Sequence, residues 1–248
     1  MRYFIQFAYN GTKYHGWQIQ PQAISVQEVL TKAVNILFRE DIELVAAGRT
    51  DAGVHAKIMY AHFDTDTIFE KDIMVQKLNS FLPEDITIYN FFEVALDAHA
   101  RFDAISRSYE YHINTFKNSF LTNLSYYQFK KLDIDKMNEA AKILLQYEDF
   151  ECFSKTHTDV FTFNCNITSA YWEENGTNLI FHITANRFLR NMVRAIVGTM
   201  LNVGLGKIAV NDVHEIIKSK KRSNAGFSVP AHGLYLTNVT YPYINGSK

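Results

Sequence analysis

One carboxylate with a glycine on either side is the residue best placed to do chemistry. The stretch GRTDAGVHA, residues 48–56, follows a short apolar segment and contains Asp51 close to Arg49. Glycines permit a tight turn that brings the backbone close to a ligand. A neighbouring cation favours the ionised carboxylate that a nucleophile or a base needs. For an isolated match, a tight turn whose aspartate caps its own backbone is the commoner explanation. Asp51 is therefore a candidate catalytic carboxylate, and Arg49 and His55 are candidate substrate contacts.

A second stretch has the composition of an RNA-binding loop. Residues 9–20, YNGTKYHGWQIQ, combine aromatic rings with amides, Lys13 and two glycines. Exposed aromatic rings beside amides such as Gln18 are suited to stack on and hold single-stranded bases. The same sequence is equally compatible with rings that fold back onto the core. The stretch predicts an RNA contact and leaves the environment of its rings open.

A third stretch, HARFDAISRSYEY, occupies residues 99–111 and has two arginines near the start of a predicted strand. These are Arg101 and Arg107. Because side chains alternate along a strand, Tyr109 and Tyr111 share one face. Ordinary strand aromatics explain this pair when it is taken alone. The arginines remain candidate phosphate contacts.

The fourth candidate is a predicted helix over residues 187–203. On a helical wheel, Arg187, Arg190 and Arg194 fall within roughly 60° of one another, and Gly198 lies in the same sector. A solvated basic face is the usual explanation of such a pattern. An interior glycine costs about 1 kcal/mol relative to alanine, so Gly198 indicates a close contact on this face.

The sequence lacks the common signatures of nucleotide, metal and thiol chemistry. It has no Walker A, GxGxxG, GxSxG or HExxH motif, and its 9 histidines lack metal-ligand spacing. Two cysteines, Cys152 and Cys165, are too few for a disulfide framework. No signal peptide is recognisable, and no apolar run reaches the ~18 residues that span a bilayer. We therefore expect a cytoplasmic, reduced protein with no cofactor and no bound metal.

Hydrophobic periodicity predicts the elements that position these residues. The predicted strands cover 2–9, 43–47, 57–64, 86–94, 106–114, 165–173, 178–185 and 233–241, and the predicted helices cover 26–37, 71–80, 135–146, 187–203 and 210–219. Ser25 and Glu28 form a capping box at the first helix. No flexible linker divides the chain. The order of elements predicts an α+β fold with two similar halves, 1–105 carrying the Asp51 loop and 106–248 carrying the arginine-rich helix.

The formal net charge is -1, from 25 Lys+Arg against 26 Asp+Glu, and taken alone this argues against a nucleic-acid partner. The distribution argues otherwise. Residues 61–97 are strongly acidic, whereas residues 187–222, which include the predicted basic helix, are strongly basic. Near-neutrality then limits non-specific RNA binding and leaves recognition to shape.

Taken in order, these stretches resemble the family of tRNA pseudouridine synthase A. GRTDAGVHA is the most specific match, and YNGTKYHGWQIQ, HARFDAISRSYEY, FLRNMVRAIVG (188–198) and GLYL (233–236) follow in the family's order. The resemblance implies a pseudouridine synthase fold, with a catalytic cleft between two α+β halves around a central, mainly antiparallel sheet. It also implies isomerisation of uridine to pseudouridine at positions 38, 39 and 40 of the tRNA anticodon stem-loop, by a homodimer. At Asn166 the chain departs from the family, whose members often carry arginine there.

The resemblance also assigns roles to residues. Asp51 becomes the catalytic carboxylate, Arg194 its ion-pair partner, and Tyr109 the ring that stacks on the target base. The remaining expected RNA contacts are Lys13, Gln18, Arg49, His55, Arg101, Arg107, Arg187 and Arg190. The reaction is redox-neutral, which explains why no cofactor motif is expected.

Two other function classes remain open from the sequence. A non-catalytic tRNA-binding or RNA-folding module would use the same basic and aromatic residues. A glycosidase or nuclease would need a second acid near Asp51, and Asp103 is the candidate. The sequence also leaves open whether Asp51 attacks C6 or C1′ of the uridine or removes a sugar proton.

Overall fold

The chain divides into two compact units. The structure, a computed structural model, describes residues 1–156 and 160–244. One unit comprises Met1–Ile105 and the chain from Tyr235 onward, and the other comprises Ser106–Leu234. The described residues contain five α-helices and nine β-strands that pair mainly antiparallel, so the fold class is α+β, as predicted. None of the described helices is long and apolar enough to cross a membrane.

The elements follow the predicted order closely. The strands are β1 (Arg2–Tyr9), β2 (Val45–Ala46), β3 (His55–Asp64), β4 (Ile86–Val94), β5 (Ser106–Asn114), β6 (Tyr126–Tyr127), β7 (Ile167–Asn175), β8 (Asn178–Ala185) and β9 (Leu234–Thr240). The helices are α1 (Val26–Phe38), α2 (Lys71–Phe81), α3 (Ile134–Leu144), α4 (Met192–Gly204) and α5 (Asp212–Ser219). Only the two-residue strand β6 has no counterpart among the predicted strands and helices.

The sheet of the first unit runs in the order β4-β1-β3-β9, and β2 pairs with β3. All pairs are antiparallel except β3 with β9, which aligns His55 with Tyr235. Strand β1 is buried on both faces, and its one buried amide, Gln6, donates to the hydroxyl of Tyr60 at 2.8 Å. The chain after Leu234 thus supplies a strand to the sheet that carries the Asp51 turn.

The first helix begins where its sequence predicts. Ser25 is the N-cap of α1, and its hydroxyl accepts from the backbone N–H of Glu28 at 3.2 Å. This bond satisfies one of the free donors at a helix start. The helix buries Val26, Leu30 and Val34, which follow the helical period.

The sheet of the second unit has β8 between β5 and β7, both antiparallel to it, while β6 runs parallel to β5. Its buried face presents Tyr111, Phe181 and Trp172. Helix α3 packs against β7 and against α4. Helix α4 is buried along almost its whole length, so it is a core helix rather than a surface one.

The predicted start of this helix was wrong. Helix α4 begins at Met192, not at residue 187, because Asn191 has φ of 67° and lies in the left-handed region. A left-handed residue cannot continue a right-handed helix. Phe188 and Leu189, which fit the helical period, belong instead to a non-helical loop after β8.

Candidate active site

Asp51 lies in a tight turn between β2 and β3 of the first unit. The backbone N–H of Val54 donates to the carbonyl of Asp51 at 3.1 Å and closes the turn. Gly53 has φ of 78°, a conformation that favours glycine. Arg49 is exposed to solvent, whereas Asp51 is half-buried. The turn predicted from the two glycines is confirmed, and it fixes the backbone from which the carboxylate projects.

The loop after β1 holds this turn from one side. Trp17 N–H donates to the carbonyl of Thr50 at 3.3 Å, and Gly53 N–H donates to the carbonyl of Tyr14 at 3.2 Å. The hydroxyls of Tyr9 and Thr50 lie 2.8 Å apart. These bonds join residues about forty positions apart in the chain, so the Asp51 turn is positioned by the neighbouring loop as well as by its own glycines.

Two glycines in that loop allow the close approach. A Cβ atom at Gly11 would lie 2.0 Å from the carbonyl oxygen of Val54. At Gly16, where φ is 87°, it would lie 2.3 Å from the carbonyl oxygen of Thr50. Any larger residue would force the two backbones apart.

The aromatic rings of the loop are buried. Trp17 packs against Phe7 with ring centroids 5.3 Å apart, and the Tyr14 hydroxyl donates to Asp85 at 2.5 Å. Burial and the Asp85 carboxylate raise the pKa of Tyr14, so its hydroxyl remains a donor. The interpretation of these rings as an exposed base-stacking surface was wrong, and the alternative of rings folded back onto the core is confirmed.

The polar residues of the same loop remain at the surface. Lys13 and Gln18 are exposed, and the Lys13 ammonium lies 3.3 Å from an Asp85 carboxylate oxygen. The loop therefore offers cationic and amide groups to solvent beside the Asp51 turn. Their contact with RNA stays a prediction.

His55 has a structural part in this turn. Its side chain is buried, and Nδ1 accepts from the backbone N–H of Gly11 at 3.0 Å. The ring stacks on Tyr235 of β9 with centroids 4.5 Å apart and planes 19° apart. The imidazole thus ties together the turn, the loop and the last strand. Its expected contact with substrate remains untested.

In the second unit, the start of β5 meets the loop after β8. Tyr109 is half-buried, and its ring meets the edge of Phe188 with centroids 5.2 Å apart. Arg107 donates to the carbonyl of Asn186 at 2.7 Å. The structure thus joins the predicted base-stacking residue to the loop that carries Arg187 and Arg190. Arg101 lies in the first unit, where its backbone N–H donates to the ring nitrogen of His99 at 3.1 Å.

Arg194 lies in the first turn of α4 and is fixed by a segment distant in sequence. Its Nε donates to the carbonyl of Val229 at 2.7 Å, and the N–H of Val229 donates back to the carbonyl of Arg194 at 3.2 Å. Its charge acts on two neighbouring groups. Burial lowers the pKa of His232, and the charge of Arg194 adds to this effect. Burial raises the pKa of Tyr111, and the charge of Arg194 opposes this effect.

Arg187 and Arg190 do not share a helix face with Arg194, and that prediction was wrong. Both precede Asn191, where the helical geometry is interrupted. Arg190 is exposed, and Arg187 is half-buried with a 3.4 Å hydrogen bond to the carbonyl of Thr162. The face that contains Gly198 is covered rather than solvated, since a Cβ atom there would lie 1.8 Å from the carbonyl oxygen of Phe227.

Comparison with known proteins identifies the family. The chain matches the model of a family described as tRNA pseudouridine synthase over residues 5–103 and 140–242. The chain belongs to this family. It is 52% identical over 246 residues to tRNA pseudouridine synthase A of Porphyromonas gingivalis, covering 97% of both chains. It is 51% identical to the protein of that name from Bacteroides thetaiotaomicron, over 97% of this chain and 91% of the relative. The protein of that name from Acetivibrio thermocellus is 40% identical, over 94% of this chain and 96% of the relative.

Other potential reactive groups in this pseudouridine synthase family member are held in structural roles. Asp103 accepts from the His99 N–H at 2.7 Å and from the Tyr243 hydroxyl at 2.8 Å, and these bonds lower its pKa. A lowered pKa is the opposite of what a general acid needs. Burial raises the pKa of Cys165 to about 11 and that of Cys152 to about 12, which disfavours thiolate chemistry. Among the described residues, no group of three acidic, histidine or cysteine side chains is arranged to hold a metal.

Sequence reasoning missed the residues around Val229. Nothing in the local pattern of residues 226–230 marks them as neighbours of Arg194. The available signal was Gly198, which indicated a close contact without identifying the partner. The structure supplies the partner as backbone at Gly226 and Phe227.

Proposed function

We propose that this chain isomerises uridine to pseudouridine at positions 38, 39 and 40 of the anticodon stem-loop of tRNA, acting in the cytoplasm as a homodimer. Membership of the tRNA pseudouridine synthase family supports the reaction class. The observation that carries the assignment of the catalytic residue is the Asp51 turn. Its carboxylate is half-buried, and its backbone is clamped by the loop after β1.

The reaction breaks the N1–C1′ bond of uridine, rotates the uracil and forms a C5–C1′ bond. The proton on C5 leaves to solvent and N1 gains one, so no oxidant or reductant is consumed. A carboxylate at the base and ribose can act by covalent attack or by removal of a sugar proton. Both routes use Asp51 in its ionised form.

The remaining side chains have supporting parts in this proposal. Arg194 pairs with Asp51 and keeps the carboxylate ionised, because an opposite charge favours the charged form. Tyr109 stacks on the uracil while it turns. The target nucleotide must leave its stack to reach these groups, and this flipping costs a few kcal/mol. The binding energy comes from contacts with the RNA backbone, which position without reading sequence. We assign them to Lys13, Gln18, Arg49, Arg101, Arg107, Arg187 and Arg190, whereas the buried His55 supports them by holding the turn in place.

Release of tritium from tRNA that carries [5-³H]uridine tests the proposal, since the C5 hydrogen is lost only when the new bond forms. We expect Asp51→Asn to abolish release while tRNA binding persists, because the substitution removes the carboxylate and preserves its shape. Asp66→Asn, an exposed acid of the same unit, is the matched control and should release tritium at the wild-type rate.

Other outcomes would separate the rival functions. Release at the wild-type rate by Asp51→Asn would contradict the assigned mechanism. Binding of tRNA by the wild-type chain with no modified uridine would indicate an RNA-binding module. Free uracil or a cut strand would indicate a glycosidase or a nuclease.

A further inference from the structure

Residues 226–230, here called the strap segment, cross helix α4 at the level of Arg194. At one end the N–H of Gly226 donates to the hydroxyl of Thr199 at 2.8 Å. In the middle, Val229 exchanges two hydrogen bonds with Arg194. At the other end the carbonyl of Pro230 accepts from the hydroxyl of Tyr111 at 2.8 Å. The segment is therefore tied to both α4 and β5.

The crossing is close because both backbones have glycine at the contact. A Cβ atom at Gly226 would lie 2.4 Å from the backbone nitrogen of Thr199, and one at Gly198 would lie 1.8 Å from the carbonyl oxygen of Phe227. Such contacts fix the height of the segment above the helix. They act at the Gly226 end of the segment, three residues before Val229.

Ser228 adds a restraint directly beside Val229. Its hydroxyl oxygen accepts from the amide of Asn191 at 2.7 Å and from the guanidinium of Arg222 at 2.9 Å. Arg222 also donates to the carbonyl of Gly226 at 2.9 Å. One hydroxyl thus links Asn191, the residue before α4, to Arg222, which precedes the strap segment in the chain.

The conformation of Asn191 points to the same role. Asparagine at a helix N-cap ordinarily accepts a hydrogen bond from the helix backbone. Asn191 makes no such capping bond and adopts a left-handed conformation. Its side chain donates to the Ser228 hydroxyl instead. The start of helix α4 therefore lacks the stabilisation of a side-chain cap, and the strap segment gains a contact.

We propose that Ser228 is a positioning residue for Arg194. It acts by holding Val229, whose carbonyl fixes the Arg194 guanidinium. A long arginine side chain has many rotamers, and a fixed acceptor on Nε reduces the number that it samples. The inference rests on the proposed pairing of Arg194 with Asp51. When Val229 is loosened, the guanidinium spends less time near the carboxylate.

The expected consequence is a change in pH dependence rather than a uniform loss of activity. A weaker cationic neighbour stabilises the ionised carboxylate less, so the acid limb of the rate profile moves to higher pH. For Ser228→Ala we expect about a threefold loss of rate at a pH on the acid limb.

The experiment is single-turnover tritium release from [5-³H]uridine tRNA, measured across pH for a set of full-length variants. Ser228→Ala removes both bonds, and Asn191→Gly removes one while tolerating the left-handed backbone. Ser228→Thr retains the hydroxyl and should restore the wild-type profile. Ser219→Ala is the matched control, since Ser219 is a half-buried serine of the same unit whose hydroxyl bonds to nearby backbone, at Ile216 and Lys221. Thermal unfolding of each variant separates lost folding from altered titration.

Other groups that titrate near these residues must be separated from the effect. His232 and Tyr111 feel the charge of Arg194, and Arg49 and His55 flank Asp51 in its turn. Burial lowers the pKa of His232 and raises that of Tyr111, so His232 is the one nearer the acid limb. The double variant His232→Gln, Ser228→Ala should show the same shift relative to His232→Gln alone.

The outcomes are distinct from those of the proposed function. Arg194→Lys should shift the acid limb in the same direction and further, because lysine cannot reproduce the fixed guanidinium fork. A shift with Arg194→Lys but none with Ser228→Ala or Asn191→Gly would overturn the positioning role and leave the proposed function standing. An equal shift with Ser219→Ala, or loss of the shift in the His232→Gln background, would also overturn it. Wild-type release by Asp51→Asn would overturn the proposed function itself.

Discussion

Close glycine contacts between two backbone segments position both the turn that carries Asp51 and the helical turn that carries Arg194, but the segments involved differ. In both, glycines let one backbone approach another until no Cβ atom would fit: Gly11 and Gly16 lie in the loop beside the turn, Gly198 lies in helix α4, and Gly226 lies in the strap segment. The Asp51 turn meets a loop that returns to it directly from strand β1. The Arg194 turn meets the strap segment, which follows helix α5 in the chain.

The two sites differ in how tightly the segments that make these contacts are restrained. The loop after β1 contains no α-helix and no strand of the sheet. Helix α4 is regular and buried, and its partner is tied at Thr199, Arg194 and Tyr111. We infer that the Arg194 site is the more rigid of the two and the more sensitive to added volume.

The largest expected effect follows from this inference. Gly198→Ala should lower the free energy of unfolding by about 3 kcal/mol, because overpacking that cannot relax lies at the upper end of the usual 1–3 kcal/mol range. Gly11→Ala, where φ is not left-handed, should cost less, about 2 kcal/mol, since its contact is with Val54, which lies in a turn outside the helices and strands. Urea denaturation followed by circular dichroism measures both.

Gly48→Ala is the control for this comparison, because no atom lies within 4 Å of the position that its Cβ would take. Its free energy of unfolding should stay close to that of the wild type. A larger loss for Gly11→Ala than for Gly198→Ala would reverse the inferred order of rigidity.

The next effect concerns acid. His62 of the first unit is buried, its Nδ1 accepts from the Ala100 N–H at 3.1 Å, and burial lowers its pKa to about 4, with His99 adding to the effect. The folded state therefore holds this histidine neutral, whereas the unfolded chain takes up a proton as the pH falls below about 6.5. Stability should be lost from about pH 6.5 down to about pH 4, by about 2 kcal/mol at pH 5.

Hydrogen exchange, corrected for intrinsic rates, can follow this loss in each unit. His62→Asn retains a hydrogen-bond acceptor and removes the titrating imidazole. Between pH 7 and pH 5, the first unit of this variant should therefore lose less protection from exchange than the first unit of the wild type. The second unit has its own histidine with a lowered pKa, His232, and provides the internal reference. Equal loss of protection in the wild type and His62→Asn would show that other groups dominate.

The smallest effects on stability belong to the exposed arginines beside each turn. Arg49→Ala and Arg190→Ala should each change the free energy of unfolding by less than about 0.5 kcal/mol, as is usual for surface positions. Each should reduce the slope of log affinity for tRNA against log salt by about 1, because one phosphate contact is lost. Fluorescence anisotropy at several salt concentrations measures the slope. An unchanged slope for either variant would remove that residue from the proposed RNA contacts.

The local elements were largely predictable. Strand alternation, the Ser25 cap and helical periodicity predicted nearly every strand and four of the five helices to within a few residues. The failure at residues 187–191 has a physical cause. Phe188 and Leu189 are apolar at helical spacing, but a period in sequence does not report the backbone dihedral of Asn191, which tertiary contacts with Ser228 help to hold.

The candidate site was predictable in its residues and not in its geometry. GRTDAGVHA indicated a tight turn with a reactive carboxylate, since glycine spacing is a local property. The burial of Tyr14 and Trp17 was not decided by their own stretch, because it depends on the Asp51 turn and on Phe7, Asp85 and β3, which come from elsewhere in the chain.

Sequence alone therefore determined the family, the α+β class, the order of elements and the identity of the candidate carboxylate. These depend on residue types at short spacings, where backbone sterics and side-chain period act. Tertiary structure alone decided that α4 begins after Arg190, that its glycine face is covered, and that Val229 and Ser228 hold Arg194. These depend on contacts between segments about thirty residues apart, where the free energy of packing, and not local preference, selects the conformation.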